Sequence, residues 1–354
     1  MRIIIDAMGG DNAPAAVIEG ANIAKAEYGG KFEMTLVGDE SAIKKAASEG
    51  GFSLDGIDIY HTDVKIEMDD DPMNAVRKKK ESSMAIGLKM LSPDNKYGVV
   101  GDAFLSAGST GALHLASSHF VGRLMGVRRA CLATYLPFPN PILLLDSGAN
   151  PTVTADQLLS WAYLGSVYAE SVLGMKNPRV GLINNGTEEC KGTEMYIEAH
   201  KLLAASDLNF AGNVESREIP FGACDVLVCD GFTGNITLKL IEGMASFFMK
   251  SLKDIYKSST VASLSYLPVR SKFGTLKKSF DASEHGGAPI LGLKAPVIKG
   301  HGNSNGRAVF SAIRQAYTCV ESGMTAKMSE NLQKTGSDND LRQFIPISAS
   351  NKYT

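Results

Sequence analysis

The chain has 354 residues, 44% apolar and 21% charged, the balance of a folded globular protein rather than a disordered one. A formal net charge of −2 excludes a general attraction to nucleic acid, which would need a basic stripe. Five cysteines without a CxxC pair give neither a disulfide framework nor a zinc site, so we expect reduced thiols in a cytoplasmic setting, with Cys224 and Cys229 buried beside a strand.

The chain enters a strand at once with Arg2-Ile3-Ile4-Ile5-Asp6, which does not resemble a secretory signal. No apolar run approaches the roughly 18 residues that span a bilayer, so any membrane contact is expected to be peripheral. Further strands are expected at 32–37, 57–60, 98–105, 131–136, 141–145, 179–183, 208–214, 225–229 and 295–299. Helix-length segments lie between most of them, at 14–28, 39–49, 72–90, 109–125, 154–173, 192–205, 233–258 and 303–323. Such alternation predicts an α/β fold with a mostly parallel sheet between helical layers. Residues 131–145, broken by Pro137, Pro139 and Pro141, read as an antiparallel hairpin. We expect a single catalytic domain over 1–325 and a polar tail over 326–354, as a short helix or a loose end.

Open sheets bind ligands beyond the C-terminal ends of their strands, so the strand-to-helix loops hold the candidates and are expected to converge on one edge. Asp6-Ala7-Met8-Gly9-Gly10-Asp11-Asn12 comes first, where Gly9 and Gly10 let the backbone approach a ligand; equally, Asp11 or Asn12 caps a helix. In Ser106-Ala107-Gly108-Ser109-Thr110-Gly111, a helix N-terminus with Ser109 and Thr110 suits an anion, unless these hydroxyls only cap. Asp146-Ser147-Gly148-Ala149-Asn150 places a carboxylate at a strand end, able to orient a ligand or a neighbouring loop. In 184–192, Lys191 stands alone among acidic neighbours; it pairs with phosphate or an oxyanion, or forms a surface salt bridge with Glu188 or Glu189. Asp230-Gly231-Phe232-Thr233-Gly234-Asn235 is a further anion-type helix start, with Thr233 the alternative cap and Asn235 in the first turn. The last is Lys299-Gly300-His301-Gly302-Asn303, where His301 is a base, a phosphate donor or a structural histidine. The set lacks a serine triad, a zinc site and a Walker loop, which points to direct transfer without a covalent intermediate.

A helical stripe over about 240–280 carries Leu240, Phe247, Phe248, Leu252 and Ile255, and beyond it lie Leu264, Tyr266 and Leu267. Lys250, Lys253, Lys257, Arg270 and Lys272 surround it, a pattern that suits an anionic bilayer or an acidic partner, while the stripe itself equally reads as core or a dimer seam. Arg77-Lys78-Lys79-Lys80 reads as a solvated helix face or a landing patch for an acidic carrier.

The runs IIIDAMGGDNAP, LSAGSTGAL (105–113), LLDSGANP (144–151), VGLINNGTEECKG (180–192), VLVCDGFTGNITLK (226–239) and GGAPILGLKAPVIKGHGNS (286–304) resemble the bacterial acyl-acyl carrier protein:phosphate acyltransferases, the PlsX family. The resemblance extends to about residue 323, with Asn185 and Ser147 standing where the family carries aliphatic residues. It implies a three-layer αβα sandwich, Rossmann-like and akin to phosphotransacetylases and isocitrate dehydrogenase. It implies transfer of a long acyl chain from acyl carrier protein to inorganic phosphate for phospholipid synthesis, with no cofactor and no metal. It also implies a homodimer, peripheral contact with the cytoplasmic membrane through a region that here is 250–270, and hand-over to glycerol-3-phosphate acyltransferase. The family's catalytic lysine and asparagine map onto Lys191 and Asn235. Asp6, Gly9, Gly10, Ser109, Thr110, Gly234, His301 and Asn303 are then expected around the phosphate. The rival expectations are a phosphotransacetylase acting on coenzyme A thioesters, a nicotinamide-dependent dehydrogenase and a scaffold without catalysis.

Overall fold

In the first strand, β1 (Arg2–Asp6), Ile3 and Ile5 belong to one core cluster and Ile4 to another, and all three are fully buried. A strand that is apolar on both faces must sit inside a sheet covered by helices on each side. The computed structural model, which describes residues 1–266, 270–272 and 286–337, places it so.

The other strands are β2 (Glu33–Gly38), β3 (Asp58–His61), β4 (Ala103–Ser106), β5 (Cys131–Leu136), β6 (Ile142–Leu145), β7 (Val180–Asn184), β8 (Phe210–Glu215), β9 (Val226–Val228), β10 (Ala288–Leu291) and β11 (Val297–Lys299). They form one 11-stranded sheet in the order β3-β2-β1-β4-β11-β10-β5-β6-β9-β7-β8. Seven of the strand pairings are parallel and three antiparallel, so the sheet is mostly parallel, as expected. The helices are α1 (Ala15–Tyr28), α2 (Glu40–Gly50), α3 (Pro72–Lys78), α4 (Ser83–Lys89), α5 (Thr110–Phe120), α6 (Ala155–Ser171), α7 (Glu194–Ala204), α8 (Gly231–Lys257), α9 (Thr260–Tyr266), α10 (Gly306–Glu321) and α11 (Met324–Ser337). One core joins β1 to α1, α2, α6, α7, α10 and α11; the other joins Ile4 and Phe104 to α3, α4 and α5. This is the αβα layering that the sequence predicts.

The three antiparallel pairings are consecutive. β10 runs against β11 (Ala288 opposite Lys299), β5 against β10 (Ile290 opposite Leu132), and β6 against β5 (Ala133 opposite Leu145). Three reversals leave β6, β9, β7 and β8 pointing opposite to β1, β4 and β11. The loops therefore do not converge on one sheet edge as expected; they fall into two groups, and the antiparallel strands lie between them.

Several boundaries differ from the expected ones for identifiable reasons. The stretch 98–102 stays outside β4 because its backbone bonds to the preceding loop: Gly101 N–H donates to Met90 O, and Val99 O accepts from Asn95 Nδ2. The expected helix 72–90 is two. Asp71 caps α3 by accepting from Asn74 N–H, and the buried Ser82 restarts the chain by accepting from Ala85 N–H. β10 escaped the sequence reading because Pro289 lies inside it and glycines flank it. α11 occupies the first part of the expected tail.

Trp161, the single tryptophan, is fully buried in α6, and its Nε1–H donates to Arg129 O at 2.8 Å. Trp161→Ala is expected to lower unfolding free energy by roughly 3–5 kcal/mol, measured by urea titration followed by circular dichroism.

Candidate active site

The β6–α6 loop is built around one carboxylate. Asp146 is fully buried and accepts from the backbone N–H groups of Leu132, Gly148, Ala149 and Asn150 and from Asn150 Nδ2, at 2.7–3.1 Å. Its own carbonyl supports α8. A Cβ at Gly234 would stand 2.0 Å from Asp146 O, and one at Gly231 would stand 2.8 Å from Asn150 N, so only glycine lets the first turn of α8 approach so closely. This contact sets Asn235 against Gly148, whose added Cβ would meet Asn235 at 3.4 Å. The α8 cap is Asp230, which accepts from Thr233 N–H and Oγ1–H, rather than Thr233 itself. Tyr196 Oη–H donates to Asp230 at 2.6 Å, which ties α7 to the same corner.

The second group of loops is knitted across β4 and β11. Ser106 Oγ–H donates to the fully buried Asp6 carboxylate at 2.6 Å, Met8 N–H donates to its other oxygen, and burial raises the Asp6 pKa against these bonds. Asp11 N–H donates to Gly302 O at 2.8 Å. Asn12 Nδ2 donates to Asn303 Oδ1 and Ser304 O, so its side chain stitches two loops instead of capping α1. Gly9 and Gly10 serve this packing. A Cβ on Gly9 would stand 2.6 Å from Asp6 Oδ2, and Gly10 adopts φ +103 against Ala107 and Gly302. Ser109 holds the N-cap position of α5 without a side-chain cap hydrogen bond, and is buried.

The two groups meet across a cleft of about 800 Å³. One end is polar: Thr110, Lys299, His301, Asn303 and Asn305 from the first group face Ser147, Gly148 and Asn235 from the second. Along the hairpin and α8 the lining is mainly apolar, with Leu132, Leu136, Pro137, Leu238, Ile241, Ala245 and Met249, interrupted by the Lys239–Glu242 ion pair and Ser246. Ser147 holds its place through Thr134, whose hydroxyl donates to it at 2.7 Å, and through its own bond to Leu132 O. The Ser147 hydroxyl is thus satisfied on both sides.

Of the residues singled out by sequence, the cleft unites Asn235, Thr110, His301 and Asn303. Asp6, Gly9, Gly10 and Gly234 lie behind it as packing, and Ser109 stands beside Thr110. Lys191 is exposed and outside the lining; its stem lies against Gly186, and none of the ion pairs among the described residues includes it. Leu252 is half-buried on α8, Lys253 and Lys257 are exposed, and Tyr266 stacks near Tyr256 at 5.3 Å. Leu264 falls in α9, and Leu267 lies outside the described residues. Burial lifts the Cys229 thiol well above its ordinary range and the Cys224 thiol to about 12, so neither is a nucleophile. Among the described residues no group of three His, Cys, Asp or Glu is placed to hold a metal, and no helix is long and apolar enough to cross a membrane.

The sequence reading passed over Lys299. It is 7% exposed, lines the polar end, and burial lowers its pKa to about 8. A lysine that closes a β-strand carries no motif of its own, and its loop drew attention to His301 instead.

A family model described as "Fatty acid synthesis protein" matches residues 1–327. The phosphate acyltransferase of Bacillus licheniformis is 45% identical over 336 residues, covering 94% of this chain and 99% of its own. That of Caldicellulosiruptor bescii is 44% identical over 334 residues, covering 94% and 98%. The chain belongs to the phosphate acyltransferase family. Membership makes it an acyltransferase. Among solved structures, a phosphotransacetylase from Streptococcus pyogenes has a TM-score of 0.59 at 15% identity, covering 91% of this chain and 94% of its own. A branched-chain phosphotransacylase from Enterococcus faecalis has a TM-score of 0.53 at 13% identity, covering 90% and 99%. These two likenesses speak to the fold alone. Asp146 and Lys299 are both buried polar residues, and each yields a measurement.

Asp146→Ala leaves several buried N–H groups without an acceptor, each worth about 1–3 kcal/mol, so a loss of about 4 kcal/mol or more is expected in urea unfolding. For Lys299, the unfolded chain keeps the proton up to about pH 10.4, whereas the folded protein releases it near 8. Between these values the unfolded state binds more protons, so the stability owed to this residue rises with pH across that window, and below about 8 the full burial penalty is present. Relative to Lys299→Met, the native sequence should gain stability on the order of 3 kcal/mol between about pH 8 and pH 10.4, read by paired urea titrations.

Proposed function

We propose that this protein transfers a long-chain fatty acyl group from acyl carrier protein to inorganic phosphate, producing acyl phosphate for phospholipid synthesis. The observation that carries the reading is the cleft itself: a cationic, donor-rich end continuous with an apolar wall, in a member of the phosphate acyltransferase family. The polar end suits a small anion, and the apolar wall suits an acyl chain.

A phosphate oxygen attacks the thioester carbonyl, the new C–O bond gives a tetrahedral oxyanion, and the C–S bond then breaks to release the carrier thiolate, which takes a proton from solvent. Asn235 sits where its amide can donate to the oxyanion or to phosphate. Phosphate is already ionised at neutral pH and thiolate leaves readily, so neither a strong base nor a strong acid is required, in keeping with a site that lacks a triad. Lys191 contributes if the 184–192 loop closes over the bound anion; hydrogen bonds of catalytic groups often tighten only in the substrate complex.

The surroundings support the partners. The exposed apolar side chains of α8, among them Leu240, Phe247, Phe248 and Ile255, are of the kind a homodimer seam buries. Exposed Lys253 and Lys257, with Leu252 and Tyr266 nearby, suit peripheral contact with an anionic cytoplasmic membrane, where glycerol-3-phosphate acyltransferase would take the product. Leu267, the further residue expected of this surface, lies outside the described residues.

The test is phosphate-dependent release of carrier thiol from palmitoyl-acyl carrier protein, with the product weighed as acyl phosphate. Asn235→Ala and Lys191→Ala are each expected to lower kcat by roughly 10²- to 10³-fold. Release from acetyl coenzyme A but not from the carrier would favour a phosphotransacetylase, which the fold likeness makes the second reading. Release from neither thioester would leave the scaffold. An undiminished rate in Lys191→Ala alone would remove that lysine from the mechanism and leave the reaction standing.

A further inference from the structure

The cleft contains a charge that the mechanism above does not use. Lys299 ends β11, the strand that carries the sheet from its parallel half into the antiparallel strands. Its ammonium is buried, and it donates to Ala107 O, at 3.3 Å, and to Gly300 O. These carbonyls belong to two different loops, β4–α5 and β11–α10, and Lys299 itself lines the cleft together with Gly300. An ammonium has three N–H donors, and two are spent on neutral carbonyls. None of the ion pairs among the described residues includes Lys299. The acidic groups that act on it are Asp11 and Asp6, neither bonded to it, and burial raises the Asp6 pKa. A buried cation without a bonded counter-charge is costly, and the cost falls when an anion enters beside it. The cleft supplies the room for one, and Thr110 at the start of the 11-residue helix α5 supplies further donors on the same wall.

We propose that Lys299 is the buried cation against which the phosphate substrate binds, with its third N–H directed to a phosphate oxygen. The anion then lies between Lys299 and the N-terminus of α5 on one side and Asn235 on the other. The inference rests on the acyl-transfer reading only for the identity of the anion.

Inorganic phosphate alone is the probe, in calorimetric titration of the full chain without an acyl donor. Lys299→Met is expected to weaken phosphate binding by roughly 10- to 100-fold, and to raise KM for phosphate by a similar factor while KM for the acyl carrier substrate stays within about twofold. Equal phosphate affinity in wild type and a folded Lys299→Met would overturn the inference while leaving the reaction intact. Absence of phosphate binding in the wild type would instead count against the acyl-transfer reading. A second measurement needs no substitution and stands even where the variant fails to fold. Acetic anhydride labelling of the wild type, followed by peptide mass spectrometry, should slow at Lys299 when phosphate is added and stay unchanged at the exposed Lys294. Unprotected Lys299 under saturating phosphate would contradict the contact.

Discussion

The site depends on the Asp146 carboxylate and the N–H groups it gathers. By accepting from Leu132, Gly148, Ala149 and Asn150, it folds the loop after β6 into a platform, and its carbonyl receives the first turn of α8 where Gly234 leaves no side chain. A buried carboxylate is tolerated only when its lone pairs are filled, and here they are filled by four backbone N–H groups and the Asn150 amide. Helix, loop and hairpin are therefore tied together, and Asn235 takes its position from that assembly.

The reversal of strand direction has a chemical consequence. A wholly parallel sheet would gather every strand-to-helix loop on one edge. Here three antiparallel pairings separate the loops of β1, β4 and β11 from those of β6 and β9, and the cleft bridges the two groups across the hairpin. Donors at Thr110 and Lys299 face an amide at Asn235, and apolar side chains continue along β5 and α8. An anion and a thioester can thus approach one another from different walls. In the proposed reaction, helix dipoles, amide donors and a buried ammonium would act without proton transfer, which fits a nucleophile that is already ionised and a thiolate leaving group.

Much of this was legible in the chain. The all-apolar strand β1, the proline-broken hairpin and the glycine-rich turns follow from local chemistry, and the layered fold follows from their alternation. Long-range register was not legible. β10 contains Pro289 and reads as a loop, yet its two antiparallel pairings seat the hairpin beside β11; the reversing hairpin was expected, but its place in the middle of the sheet, and so the two-sided arrangement of the loops, was hidden. Side-chain fate was hidden for the same reason. Asp6, Gly9 and Gly10 look like ligand contacts because glycine and aspartate mark close approach, but here the approach is of loop to loop. Asn12 resembles a helix cap and reaches Asn303 instead, across 291 residues of sequence. Lys299 carries no motif, and only its burial beside two carbonyls distinguishes it from any surface lysine.

The central claim is that phosphate attacks the thioester directly, with no acyl group ever resting on the protein. Isotope exchange tests it most directly: isotope-labelled free carrier thiol is mixed with unlabelled acyl carrier substrate and the enzyme, with phosphate left out. The account predicts no passage of label into the acylated carrier until phosphate is added. Exchange in the absence of phosphate would reveal an acyl-enzyme and contradict it.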